Sequence, residues 1–177
     1  LDYGNSKKIM TQIYSNINII GGGLIGLATA YSLSKLDYEI TVLEKKPRYD
    51  LVKHIDYRTV AISEGTKIFL NKIGLWKEIK KFAEPIEKIS VIDRKLTNKL
   101  EFDNLRRVSN LGYIVKNKDL LDLLYKKINK IKKIKILNDV IIDGLSCNKG
   151  SIITNFNNTS IKSDINIAAD GKNSHVK

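Results

Sequence analysis

The chain has 177 residues, 42% hydrophobic and 28% charged, which is enough for one domain with a real core or for one domain and part of another. Its single cysteine, Cys147, excludes an internal disulfide and fits a reducing compartment. The formal net charge of +12 would suggest nucleic acid or an anionic membrane as partner, but lysine supplies 26 of the 31 basic residues, beside 27 isoleucines and 16 asparagines. A/T-rich codons produce that bias without any partner, and no basic-aromatic module accompanies it, so nucleic-acid binding is not expected.

No apolar run reaches the length of a membrane span. Lys7-Lys8, an apolar stretch from Ile17 and Ala28-Thr29-Ala30 imitate a signal peptide, but Asn16 and Asn18 interrupt the run. Met10 reads as a natural start, which leaves residues 1–9 as upstream readthrough or tail and residues 1–15 as an N-terminal tail before the first strand. "NINII" (16–20) is short and β-branched and predicts a buried strand. "LIGLATAYSLSKL" (24–36) has helical spacing, and "YEITVLE" (38–44) predicts a second strand, so the chain opens on a βαβ unit. Residues 45–59 are polar and irregular and read as a long loop. Residues 63–83 read as helix, broken at Gly74. Strands are expected over 86–94, 99–102 and 112–116. The 117–131 segment predicts a helix with Asn117 as N-cap; Leu120, Leu121, Leu124, Ile128 and Ile131 share a face, and lysines crowd the C-terminal end, where the helix dipole favours them. Short strands with Asn/Gly/Ser turns follow: "KIKIL", "DVIIDGL", "SIITNF", "SIKSD" and "INIAAD".

The chemistry sits first in "GGGLIG", a G-x-G-x-x-G motif formed by Gly21, Gly23 and Gly26 between a predicted strand and a predicted helix. Gly21 permits the tight turn, Gly23 lets the backbone approach a pyrophosphate, and Gly26 lets the helix pack closely on the strand. The helix N-terminus then presents N–H groups and a positive dipole end to phosphate. Glu44 closes the second strand eighteen positions beyond Gly26, where a carboxylate can accept hydrogen bonds from ribose hydroxyls. Lys45 and Lys46 follow, so charge alone does not exclude a 2′-phosphate, but the acid at the strand end argues against NADP here. The glycine motif does not decide between NAD and FAD, since both present an ADP moiety. His54 and His175 are isolated, and no metal cluster or nucleophile–base pair is visible.

Five ordered blocks add to this. They are "INIIGGGLIGLATAYSLSKLDYEITVLEK", "RTVAISEGTKIFLNKIGLWKEI" (with Arg58, Ala61, Ser63, Gly65, Leu70, Gly74 and Trp76), "EPIEKISVIDR", "LGYIVKNKDLLDLL" and "AADGKNSHVK". Together they resemble the FAD-dependent aromatic hydroxylases of ubiquinone biosynthesis, within the monooxygenases related to para-hydroxybenzoate hydroxylase. The resemblance implies an α/β fold, a Rossmann-like FAD-binding domain with part of a β-rich substrate domain, truncated. It implies a FAD-binding βαβ with its loop and helices over 16–83, substrate-domain strands over 84–110, and a return to the FAD-binding domain over 111–177. Residues 16–44 would hold the ADP half of FAD. Arg58 would lie near the flavin's phosphates or isoalloxazine, and Asp170-Gly171 would be the Asp-Gly motif associated with FAD and reduced pyridine nucleotide. NAD(P)H would reduce FAD, and the reduced flavin would activate O₂ to hydroxylate a polyprenylated phenol. Such an enzyme would be cytoplasmic and would meet the inner membrane peripherally, or a ubiquinone-pathway complex.

Two departures stand out: Lys116 where this family usually has Glu, and Lys177 where it usually has Arg. The family's second flavin signature, a Gly-Asp motif, is absent. The isolated chain is therefore expected to bind FAD weakly or not at all. Two alternatives stay open: an inactive split-gene remnant, and a different NAD- or FAD-dependent oxidoreductase.

Overall fold

The computed structural model describes residues 11–47, 57–92, 99–103, 110–148, 150–172, 174 and 176. The chain divides into two compact units, residues 1–54 with 124–177, and residues 55–123.

The first unit is built on a six-stranded sheet in the order β8-β2-β1-β11-β10-β9. Its strands are β1 (Thr11–Ile20), β2 (Ile40–Leu43), β8 (Ile134–Leu137), β9 (Ile142–Asn148), β10 (Ser151–Phe156) and β11 (Thr159–Ala168). The first four in the sheet order run parallel, and β10 and β9 are antiparallel additions. Helix α1 (Leu24–Leu33) connects β1 to β2, which completes the expected βαβ unit. All four residues of β2 are buried, as a strand with neighbours on both edges requires. Ile17, Ile19, Ile40, Val42, Leu27 and Ala30 supply much of the core here.

Three features differ from expectation in this unit. β1 starts at Thr11, inside the stretch expected as tail, because Thr11 to Ser15 pair in register with Thr159 to Ser163. The segments expected as two strands, 160–164 and 165–170, form one strand, whose early part alternates buried Ile161 and Ser163 with exposed Lys162 and Asp164. Asn18, which interrupts the apolar run, is fully buried: its Nδ2 donates to Thr154 Oγ1 at 3.1 Å. Asn166 Nδ2 donates to the same oxygen at 2.9 Å.

The second unit holds a three-stranded sheet, β3 (Thr59–Ile62), β7 (Gly112–Lys116) and β4 (Glu84–Ile86), with β7 central and all pairings antiparallel. β3 was not expected; its first residue fell in the assigned loop. The expected 86–94 strand divides at Glu87: residues before it pair with β7, and β5 (Lys88–Ile92) pairs with β6 (Lys99–Asp103). Helices α2 (Glu64–Lys72) and α3 (Trp76–Ile79) replace the single broken helix. Ser63 caps α2 by accepting from the Thr66 N–H at 3.2 Å. Gly74, at φ +83°, ends it: its N–H bonds to the Asn71 carbonyl while the Leu75 N–H bonds to that of Leu70, a Schellman ending that needs a left-handed residue. Trp76 packs edge-on against Tyr113 with ring centroids 4.8 Å apart. Lys67 Nζ lies 5.8 and 5.4 Å from the two ring centroids and is paired to Glu64, which holds its pKa above the ordinary value.

The division between units falls within α4 (Asn117–Ile128). Its buried residues are Leu120, Leu123, Leu124 and Ile128; Leu121, expected on that face, is half-buried. Asn117 does not cap through its side chain: its Oδ1 is buried with no hydrogen-bond partner. No helix among the described residues is long and apolar enough to cross a membrane.

Candidate functional site

Three parallel strands of the first unit end together. In register, Ile20 of β1 stands beside Leu43 of β2 on one side and Ala168 of β11 on the other. The residues that follow these ends are Gly21 to Gly23, Glu44 to Lys46, and Ala169 to Gly171. The strand pairing therefore gathers the glycine motif, the acidic strand end and the Asp-Gly turn at one edge of the sheet. The C-terminal edge of parallel strands is where open α/β sheets bind ligands.

Close packing holds the glycine turn there. The Gly21 N–H donates to the Leu43 carbonyl at 2.8 Å, and the Ala169 N–H donates to the Ile20 carbonyl at 2.7 Å. Gly21 has φ +110°, and a Cβ on it would lie 2.3 Å from the Ala169 oxygen and 2.8 Å from the Asp170 nitrogen. Only glycine allows this turn to sit on the Ala169-Asp170 backbone. Gly26 is just as constrained: its Cβ would lie 1.8 Å from the Gly21 oxygen. Gly23 differs, since a Cβ there would meet nothing within 4 Å. It is the N-cap of α1, with extended backbone and no side-chain cap, and the first turn carries no acidic residue. The helix end thus opens onto free space at Gly23, with Glu44 as the carboxylate next to it.

Glu44 is buried, and both its oxygens are engaged. Oε2 accepts from the Gly22 N–H at 2.6 Å, and Oε1 accepts from the Lys46 N–H at 2.9 Å. A carboxylate has about four lone-pair sites, so each oxygen can still accept a further donor. Lys45 and Lys46 are exposed beyond the strand. Asp170 is half-buried, and Gly171 is exposed with φ +83°.

Of the residues singled out from sequence, the first unit brings together Gly21, Gly23, Gly26, Glu44, Lys45, Asp170 and Gly171. Arg58 belongs to the second unit, one residue before β3; its side chain is exposed and its carbonyl accepts from the Asn117 N–H at 3.0 Å. Lys116, the charge departure, is exposed at the end of β7, opposite Thr59. His54, His175 and Lys177 lie outside the described residues, as does most of the expected 45–59 loop. Sequence reasoning passed over Gly22, which occupies a free position of the motif; the run of three glycines was its only signal.

Comparisons with known proteins bear on the fold. Residues 19–49 match the family model of the NAD(P)-binding Rossmann-like domain. The chain is 22% identical to a ubiquinone hydroxylase, UbiM, of Neisseria meningitidis over 97% of its own length and 39% of that protein's. It is 24% identical to a ubiquinone hydroxylase, UbiL, of Rhodospirillum rubrum, over 98% of its length and 40% of that protein's. Among solved structures it matches the p-nitrophenol 4-monooxygenase PnpA of Pseudomonas putida with a TM-score of 0.79 at 19% identity, over 94% of this chain and 43% of that one. The fold is the Rossmann-like α/β fold shared with solved FAD-dependent monooxygenases, and the chain is similar over nearly all its length to proteins named as ubiquinone hydroxylases. It spans about 40% of the length of those curated relatives.

Proposed function

We propose that this chain is the ADP-binding portion of an FAD-dependent hydroxylase that acts on a polyprenylated phenol with NAD(P)H and O₂. One observation carries the reading: Gly21 packs directly on Ala169-Asp170, so the glycine loop, Glu44 and the Asp-Gly turn share one strand-end edge. A curated relative named as an FAD-dependent monooxygenase, 24% identical over 95% of this chain, supports the flavin over other dinucleotides.

The residues fit the ADP part of FAD. The open space at Gly23 accommodates a pyrophosphate against the N-terminus of α1, where N–H groups and the helix dipole favour negative charge. Glu44, fixed by two backbone N–H groups, offers its remaining lone pairs to ribose hydroxyls and repels a 2′-phosphate. Asp170-Gly171 flanks the loop and contributes a carboxylate and a left-handed glycine turn to the same edge. For Arg58, in the second unit, the support is the sequence resemblance alone, a guanidinium fork being suited to phosphate. FAD, when bound, supplies electron transfer from the reduced nucleotide and activation of O₂. The residues of this chain bind and orient it.

The test is competition. FAD and ADP should displace one another from the chain, weakly but at one site, while riboflavin, which lacks ADP, should not bind. NAD serves as the competitor for the dehydrogenase alternative, because the matched Rossmann model is described as NAD(P)-binding. Tighter binding of NAD than of FAD, or riboflavin binding as well as FAD, would overturn the reading.

A further inference from the structure

We infer that Gly22 and Glu44 form a latch that holds the glycine loop in its binding shape before any cofactor arrives, with Gly22 as a fourth required glycine and Glu44 as a positioning residue. The inference rests on reading this loop as an ADP site, and it adds a role that neither the glycine spacing nor a ribose contact assigns.

The geometry is specific. Glu44 is clamped by its own backbone: its N–H donates to the Leu137 carbonyl at 2.8 Å and its carbonyl accepts from the Val140 N–H at 3.0 Å. Its side chain therefore projects from a fixed point. From there Oε2 meets the Gly22 N–H at 2.6 Å, a charge-assisted bond in a buried setting, while Oε1 holds the Lys46 N–H. The approach is possible only because residue 22 has no side chain. A Cβ there would lie 2.9 Å from Glu44 Cβ and 3.0 Å from Oε2. Glu44 Cβ is next to the backbone and cannot swing aside as a long side-chain tip would. The Gly22 N–H is thus committed to Glu44 rather than to phosphate. One carboxylate links the strand end that would receive a ribose to the loop that would receive a pyrophosphate. The shape is set in advance, so less ordering is left to the binding step.

Amide hydrogen exchange and ¹⁵N–¹H shifts in the ligand-free chain read the latch directly. The Gly22 and Lys46 amides should be protected and shifted downfield in the wild type, and both effects should be lost in Glu44→Ala. Glu44→Gln separates bonding from packing. Gln fills the same space but can accept at only one terminal atom, so one of the two amides should lose protection; full retention of both would reduce Glu44 to a space-filler. FAD titration is the second arm. Gly22→Ala and Glu44→Ala should each weaken binding about tenfold or more, and the double variant should be no worse than the weaker single, since both break one unit. Independent additive losses, or an exposed Gly22 amide in the wild type, would overturn the latch. If riboflavin binds as well as FAD does, the ADP-site reading fails, whereas the exchange result still decides the latch.

Discussion

Replacing Gly26 with alanine tests the packing that builds the site. In an ordinary helix the change stabilises by roughly 0.5–1 kcal/mol, because alanine loses less conformational freedom on folding. Here the new Cβ would stand 1.8 Å from the Gly21 carbonyl oxygen and 3.5 Å from Ala169 Cβ. Real Cβ contacts essentially never fall under 3.0 Å, so α1 and the β1 turn must separate by more than an ångström. The obstacle is backbone, with no rotamer to change. α1 itself is seated by Leu27 and Ala30, both fully buried. Overpacking of this kind costs about 1–3 kcal/mol, and the backbone obstacle puts Gly26→Ala at the upper end, near ~3 kcal/mol. For a chain of this size that lowers Tm by roughly 6–12 °C. Thermal unfolding followed by far-UV circular dichroism, with urea midpoints alongside, reads the shift. Gly23→Ala is the control: it has free space, so its cost is only that of a poorer N-cap, about 1 kcal/mol or less. A Gly26→Ala chain as stable as the wild type, or more stable, would refute the close approach of α1 to the turn.

Three further outcomes are expected. Thr154→Val keeps the shape but leaves the buried Asn18 Nδ2 and the half-buried Asn166 Nδ2 without their shared acceptor, which should cost about 1–3 kcal/mol in urea unfolding; an unchanged midpoint would show that the network contributes nothing. Gly74→Ala forces a left-handed alanine at the end of α2 and should lose about 1–2 kcal/mol, measurable as faster amide exchange at Leu75, whereas unchanged exchange there would contradict the Schellman ending. Glu101, bridged to Lys88 and Lys99, has its pKa lowered from the ordinary 4.5 to about 2 by those lysines. A depressed carboxylate stabilises the folded hairpin above its unfolded pKa, and that contribution disappears as pH falls through the folded value. The β5–β6 pairing should therefore weaken between about pH 4.5 and pH 2, and a carboxyl ¹³C titration of Glu101 with a midpoint near 4.5 would count against the pairing.

What the sequence determined by itself is local. The strand–glycine turn–helix of 16–36, the acid at 44, the break at Gly74 and the start of α4 each depend on residues within a turn or two. Backbone geometry, capping and hydrophobic period act over that range, so they can be read in order along the chain. The tertiary structure decided what sits beside what. Hydrophobic periodicity reports which face of a strand is buried, but not its neighbour. Nothing near residues 11–15 announces that they extend β1, because only pairing with β11, far along the chain, makes them a strand. Joining β1 to β11, and through it to β10, turns Asn18 from an interruption into a buried hydrogen-bond donor to Thr154. It also brings Asp170-Gly171, an ordinary turn by its own sequence, onto the glycine loop. Gly22 shows the limit most clearly. Its requirement comes from a carboxylate twenty-two positions away, held by a strand end, and no spacing rule within the motif contains that contact.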